Sequence, residues 1–164
     1  MTATSYSCPS CSAPLTVENR FSKLVICQYC GQNSAISQSG LNPTGKTAKL
    51  ADFGSVLKTG SSGTLSGDAF KVLGRLRFQY EDGFWDEWLI RLAAGKMLWL
   101  QEDEGEFTAF EKEAITSSIT PFAEIAVGSS VNVNGRSVFV TEKNESIIAG
   151  GEGELNFTFQ PGEA

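Results

Sequence analysis

Phe70-Lys71-Val72-Leu73-Gly74-Arg75-Leu76-Arg77-Phe78-Gln79-Tyr80 is the stretch on which the fold class turns. Phe70, Val72, Leu76, Phe78 and Tyr80 alternate with Lys71, Arg75, Arg77 and Gln79. A period of two marks a strand with one apolar and one mainly basic face. Glu81-Asp82-Gly83 supplies the turn that ends it. Phe84 to Leu92 then sets Trp88, Ile90 and Leu92 on one face, and Ala94-Gly95 turns the chain again. Met97-Leu98-Trp99-Leu100 is apolar on both faces, which suggests a central strand. Asp103-Glu104-Gly105 leads into Glu106 to Phe110, and the segments together read as a four-stranded antiparallel meander.

Working outward, Glu111 to Thr120 is the stretch with room for a helical turn or two, stopped by Pro121. Val131 and Val133 meet Val138 and Val140 across Asn134-Gly135, a strong hairpin signal. Leu155, Phe157 and Phe159 alternate with Asn156 and Thr158 as a last strand. Gly60-Ser61-Ser62, Gly67 and Val72 match Gly128-Ser129-Ser130, Gly135 and Val140 at a constant offset of 68, with Leu65 matching Val133 and Phe70 matching Val138. Both copies read as loop, short strand, turn, long strand, the way many small SH3-like barrels begin. Duplication and coincidence both account for five identities among small residues. The expected fold is all-β, an antiparallel barrel or sandwich, with two SH3-like halves as one form of it.

Upstream, Cys8-Pro9-Ser10-Cys11 and Cys27-Gln28-Tyr29-Cys30-Gly31 are two C-x-x-C knuckles. Their spacing is that of a four-cysteine zinc site, because each knuckle aims two sulfurs at one point and a tetrahedral ion needs two such pairs. Leu15-Thr16-Val17 and Leu24-Val25-Ile26 read as the hairpin strands that bring the knuckles together, with the turn near Glu18 to Ser22. So small a module buries too little apolar surface to fold without its ion. Two disulfides are the alternative in a secreted chain, but no secretory signal opens this one and cytosolic thiols stay reduced. A redox C-x-x-C would need an α/β setting that is missing here. Four cysteines close the coordination sphere, so the zinc is structural, and iron would leave the same architecture.

Three parts are therefore expected: a zinc ribbon over residues 1–32, a flexible Ser/Gly/Asn/Thr linker over 33–52, and the β domain over 53–162. The 164 residues allow one main core and a small satellite. No apolar run nears the roughly 18 residues that span a bilayer, so a cytoplasmic protein without a membrane span is expected. The first 50 residues hold four basic and one acidic residue, the remainder nine basic and eighteen acidic, for a net charge of -6. An acidic field of that kind repels phosphate backbones.

Phe70-Lys71-Val72-Leu73-Gly74-Arg75, Trp85-Asp86-Glu87-Trp88, Trp99-Leu100 with Glu102 and Gly105-Glu106, Val127-Gly128 and Glu152-Gly153-Glu154-Leu155 occur in that order. The series resembles the bacterial family known as domain of unknown function 4178, often preceded by a zinc ribbon, over about residues 53 to 162. Asn156-Phe157 stand where that family commonly has Pro and an aromatic, and Ser12 stands where such ribbons prefer Gly. The resemblance implies an accessory role in an envelope or stress system, since members tend to be encoded beside phage-shock-like membrane-remodelling proteins, small multispanning membrane proteins and polyamine-pathway enzymes.

The chain has no histidine, which removes Ser-His-Asp and Cys-His nucleophile arrangements. No Gly-rich phosphate loop follows a strand. What is left is Glu87, Glu102, Glu152 and Glu154, carboxylates in or beside aromatic strands. Held against Trp85, Trp88 or Trp99, such an acid acquires a raised pKa and becomes a proton donor; facing outward, or beside Arg75, Arg77 or Arg91, it is a solvated or paired strand residue. Trp88 and Trp99 are expected in the core and Trp85 at the surface. Three functions follow: a non-enzymatic adaptor that binds protein partners, including membrane-associated ones; an enzyme whose glutamates converge on an aromatic-walled site; and nucleic-acid binding through the ribbon, using Arg20, Lys23, Lys46 and Lys49.

Overall fold

The computed structural model describes residues 3–46, 50–160 and 162–163, and divides into two units, residues 1–111 with 146–164 and residues 112–145. The larger unit is built on one antiparallel sheet. Its strands are β3 (Leu24–Ile26), β4 (Gln32–Ser37), β5 (Gly40–Lys46), β6 (Ser62–Leu65), β7 (Asp68–Gln79), β8 (Phe84–Leu92), β9 (Met97–Asp103), β10 (Glu106–Phe110) and β13 (Ile147–Leu155). They lie in the order β10-β9-β8-β7-β13-β3-β4-β5, with β6 also on β7. The first two strands, β1 (Thr4–Ser7) and β2 (Pro14–Val17), pair only with each other. The fold is all-β as expected, but the sheet is open and closes into no barrel.

The meander from β7 to β10 forms as its periodicity predicts, with one change of face. A bulge between Val72 and Gly74 inserts Leu73 as an extra residue. Side chains before and after a bulge swap sides, because strand residues alternate. Phe70 and Val72 therefore pack with Trp88, Ile90 and Leu100 in one core, whereas Leu76 packs with Leu24, Ile26, Leu89, Trp99 and Leu155 in another. Arg75 and Arg77 fall on the first of these sides and are buried, at 4% and 6% exposure, not on a basic outer face. Arg77 donates from Nε and an Nη to both oxygens of Asp86 at 2.8 and 2.7 Å, and Arg75 bridges Asp86 at 3.3 Å and Glu152 at 2.8 Å. The guanidiniums also stack 4.1 Å over Phe84 and 4.9 Å over Trp88. Burial of the charges is offset by pairing and planar stacking together.

Of the expected linker over 33–52, residues 33–46 are not a flexible linker: β4 and β5 occupy most of them and form a hairpin continuous with the large sheet, while residues 47–49 lie outside the described residues. Ser, Asn and Gly read as loop on composition, yet Asn33 and Ser34 are fully buried where β4 runs beside β3. The two expected ribbon strands also do not pair with each other. β2 joins β1, and β3 joins β4 on one side and β13 on the other. The ribbon is thereby fused to the family-like sheet rather than set apart as a satellite.

The smaller unit holds a single-turn 3-10 helix (Phe122–Glu124) and the hairpin of β11 (Ser130–Val133) and β12 (Arg136–Phe139). No helix forms over Glu111 to Thr120. Instead Asn134 at the hairpin tip accepts from the Thr116 amide and donates to the Ala114 carbonyl, both at 2.8 Å. The repeat at offset 68 is real in its hydrogen bonds. Gly60 donates to Val72 at 2.9 Å and Val72 to Ser61 at 2.8 Å; Gly128 donates to Val140 and Val140 to Ser129, both at 2.8 Å. Ser61 and Ser129 each donate from Oγ to the carbonyl three residues back at 2.6 Å. The turn residues match too, with φ of 51° at Ser66 and 52° at Asn134.

Candidate metal centre

Two tight turns carry the four cysteines. The Ser12 amide reaches back to the Cys8 carbonyl at 2.9 Å and the Gly31 amide to the Cys27 carbonyl at 2.8 Å. Both turns need a left-handed residue, supplied by Ser12 at φ 62° and Gly31 at φ 72°. Serine holds that conformation at a cost glycine does not bear. The Ser10 amide donates to the Cys8 sulfur at 3.4 Å, the orientation a bound thiolate requires.

The sulfurs of Cys8, Cys11, Cys27 and Cys30 all lie within 4.8 Å of one another, and no disulfide forms. Cys8 and Cys30 are 3.7 Å apart, as are Cys11 and Cys27. Zinc–sulfur bonds of about 2.3 Å in a tetrahedron place sulfurs about 3.8 Å apart. The donor set thus fits a four-coordinate ion closely and leaves no ligand position open. Cys8 and Cys27 are buried while Cys11 faces solvent, so an ion has a dry side and a point of entry. In the bare site the thiols respond unequally. The Ala13 amide lowers Cys11, but desolvation of its sulfur within the cluster and hydrogen bonding with the three neighbouring sulfurs outweigh it and push it up to about 12. Burial raises Cys27. The Gln32 amide, against some burial, brings Cys30 down to about 7. A cation removes this competition by taking all four as thiolates.

Glu154 fastens the centre to the large sheet. Its carboxylate accepts from the Glu18 amide at 2.6 Å, the Asn19 amide at 3.1 Å and the Ser22 hydroxyl at 2.8 Å, and is 5% exposed. Those three donors form the connection between β2 and β3. Lys71 adds a bidentate ion pair to Glu18 at 2.6 Å, and Arg91 donates to the Glu18 carbonyl at 3.2 Å. Replacing Glu154 by alanine strands two buried donors and a half-buried one, and a loss of about 3 kcal/mol is expected from hydrogen bonds to a charged acceptor. Urea unfolding of the full chain checks this, and an unchanged midpoint would remove the clasp.

The other glutamates are also engaged, each differently. Glu152 bridges to Arg75, while Glu102 accepts from Trp88 Nε1 at 2.8 Å and from the Ser55 hydroxyl at 2.6 Å. Glu87 accepts from Trp85 Nε1 at 3.1 Å, and burial raises its pKa despite that bond. Glu152 and Glu154 both line a cleft of about 690 Å³ beside the metal centre, together with Val25, Tyr29, Lys71 and Gly153. Glu87, Glu102 and the three tryptophans do not line it. Trp88 and Trp99 are core residues as expected, and Trp85 is half-buried, stacked on Phe78 at 5.1 Å. Of the basic residues proposed for nucleic acid, Arg20 stacks on Phe21 at 4.5 Å, and Lys49 lies outside the described residues.

Sequence reasoning placed Glu154 among candidate acids and missed its clasp. The signal was the Gly153-Glu154 pair, whose glycine lets the backbone pass close to β7 and sets the carboxylate over the ribbon turn. No curated protein and no solved structure matches the chain. The family model for a domain of unknown function (DUF4178) matches residues 58–164, from the loop before β6 through β13. That region holds Glu154 of the clasp and well over half of the residues, so the chain belongs to the DUF4178 family.

Proposed function

We propose that this protein is a zinc-containing, non-enzymatic adaptor of the cytoplasm that binds protein partners in an envelope or stress-response system. The observation that carries the reading is a pair of strand edges that take no further strand among the described residues, beside exposed aromatics. All five residues of β10 are exposed, and its outer edge bounds the large sheet; β12 bears Phe139 at 61% exposure. Edges of this kind accept a partner's strand through main-chain hydrogen bonds. The ion fits the same reading as a structural part, since four sulfurs leave it no site for substrate. The candidate carboxylates add support by being engaged within the fold: Glu152 in an ion pair, Glu154 in the clasp, and Glu87 and Glu102 as acceptors from tryptophan indoles.

The test is recovery of tagged full-length protein from its native cells, with partners and metal measured together. One zinc per chain is expected, with specific partners that Phe107→Asp on β10 or Phe139→Asp on β12 releases. Recovery of no partner, or of partners indifferent to both substitutions, would defeat the adaptor reading.

A further inference from the structure

The four sulfurs are chemically alike and unequally placed. Cys8 and Cys27 are buried, at 2% and 1% exposure, Cys30 is half-buried, and Cys11 faces solvent. Pro9, Ser10 and Ser12 around Cys11 are themselves exposed, and none of the three carries a charge. Cys11 is thus the corner of the cluster that a small molecule reaches without parting any packed element. A zinc-bound cysteine is a thiolate, the form of sulfur that oxidants attack. Thiolate character and access together decide which cysteine reacts first.

What lies behind Cys11 decides the next step. Its sulfur is 3.7 Å from that of Cys27, which stands on the other knuckle. Cys8 shares the first knuckle with Cys11, where the Ser12 amide ties the turn to the Cys8 carbonyl at 2.9 Å. A bond from Cys11 to Cys8 would deform that turn, whereas a bond to Cys27 draws two intact turns together. Cys8 and Cys30, also 3.7 Å apart, are then left as a second pair.

We infer that Cys11 is an oxidation site for a neutral peroxide, with Cys27 as its resolving partner and their disulfide as the ion's replacement between the knuckles. The inference goes beyond the adaptor reading and rests on the zinc of that reading. The Cys11 thiolate attacks one peroxide oxygen, so that an S–O bond forms, the O–O bond breaks and hydroxide leaves. The Cys27 thiolate then attacks the Cys11 sulfur; the S–S bond forms, the S–O bond breaks and a second hydroxide leaves. Two thiolates are oxidised to one disulfide, and the peroxide is reduced to two hydroxides. Cys8 and Cys30 remain as ligands, and two sulfurs hold a cation far more weakly than four. Charge selects the oxidant: the chain carries -6, and four thiolates on a divalent ion add about -2. A neutral peroxide approaches such a surface more readily than an anionic disulfide such as oxidised glutathione. The bridge closes the fifteen residues between Cys11 and Cys27, which restricts the unfolded chain and keeps the second knuckle tied to the first.

The test adds hydrogen peroxide to the full zinc-loaded chain, reads released zinc with a chromophoric chelator and maps disulfides after alkylation of the remaining thiols. Release of zinc together with a Cys11–Cys27 bridge is expected, reversed by dithiothreitol and added zinc. Cys11→His keeps four ligands without the exposed sulfur and is expected to lose zinc at least about tenfold more slowly. Cys30→His, which keeps both reacting sulfurs, is expected to lose it at the wild-type rate. Zinc content and urea midpoint of both variants are measured first, and the bridge in the wild-type chain is mapped independently of either. The oxidised chain is expected to unfold at a higher urea midpoint than the chelated, reduced chain. A bridge between other cysteines, equal rates for the two variants, or equal midpoints for the oxidised and chelated chains overturns the inference. So does zinc retained under peroxide that fully oxidises a free thiol, and in that case the zinc reading stands. A purified chain that holds no zinc would sink that reading and this inference together.

Discussion

Stripping the ion from the cysteines is expected to lower the stability of the whole large sheet, seen by tryptophans that lie far from it in sequence. Trp85, Trp88 and Trp99 all sit on β8 and β9, and residues 1–50 hold none. A chelator that touched only an independent ribbon would leave their unfolding transition where it was. Here β3 ends at Ile26, next to Cys27, and β4 begins at Gln32, two residues after Cys30. The Cys27 amide donates to the Gln32 carbonyl at 2.9 Å, so the second knuckle is also the turn of the β3–β4 hairpin. Leu24 and Ile26 of that hairpin, at 0% and 4% exposure, belong to the core that holds Trp99. Structural zinc supplies on the order of 10 kcal/mol of apparent folding free energy in small modules, comparable to the stability of an entire domain. Urea unfolding followed by tryptophan emission should therefore shift to a markedly lower midpoint after chelation, and after Cys27→Ser. A transition that keeps its midpoint once the metal is shown to be gone would make the ribbon a separate folding unit.

Gly153→Ala should be the most damaging single substitution outside the cysteines. Gly153 has φ of 72°, where an L side chain is strained, and a Cβ there would stand 2.3 Å from the Leu73 carbonyl and 2.5 Å from Thr59 Cγ2. Leu73 is fixed on both sides by the paired Val72 and Gly74 and by its buried side chain, so its carbonyl cannot step aside without moving β7. Strain of about 1–3 kcal/mol from the dihedral alone is joined by the clash, and a total above about 4 kcal/mol is expected. Gly95→Ala is the control. Its φ is 90° with nothing within 4 Å, so the dihedral penalty stands alone. Equal urea midpoints for the two variants would show that the close crossing of β13 over β7 is not what Gly153 is for.

The meander and the second hairpin are legible because most of their strands alternate apolar and polar residues and their turns carry Gly after Asp, Glu, Ala or Asn. The four cysteines were legible from spacing alone, and the geometry gathers them. β13 was not: Gly150, Gly151 and Gly153 argue against a strand on propensity, and only Leu155 of the strand was read as one. Gly151 and Gly153 are there for contact. A Cβ on Gly151 would meet the Arg75 carbonyl at 2.9 Å, and one on Gly74 the Glu154 carbonyl at 2.3 Å. β4 and β5 were hidden for a related reason, since polar residues such as Asn33 and Ser34 take buried positions that composition assigns to loops. The bulge at Leu73 leaves alternation visible on both sides while exchanging the faces, so periodicity alone gathers Lys71, Arg75 and Arg77 on one basic face that the structure divides. Periodicity reports a strand's existence well; it does not report a single inserted residue.

β13 also imposes a sequence of events on synthesis. It lies between β7 and β3, and its Glu154 clasps the Glu18 amide across a separation of 136 residues. A nascent chain must therefore carry the four-cysteine module and the finished meander as two pieces with raw edges until residue 155 clears the ribosome. Early ion capture would hold the first piece in readiness, and a pause in translation before that point would leave both open to mispairing.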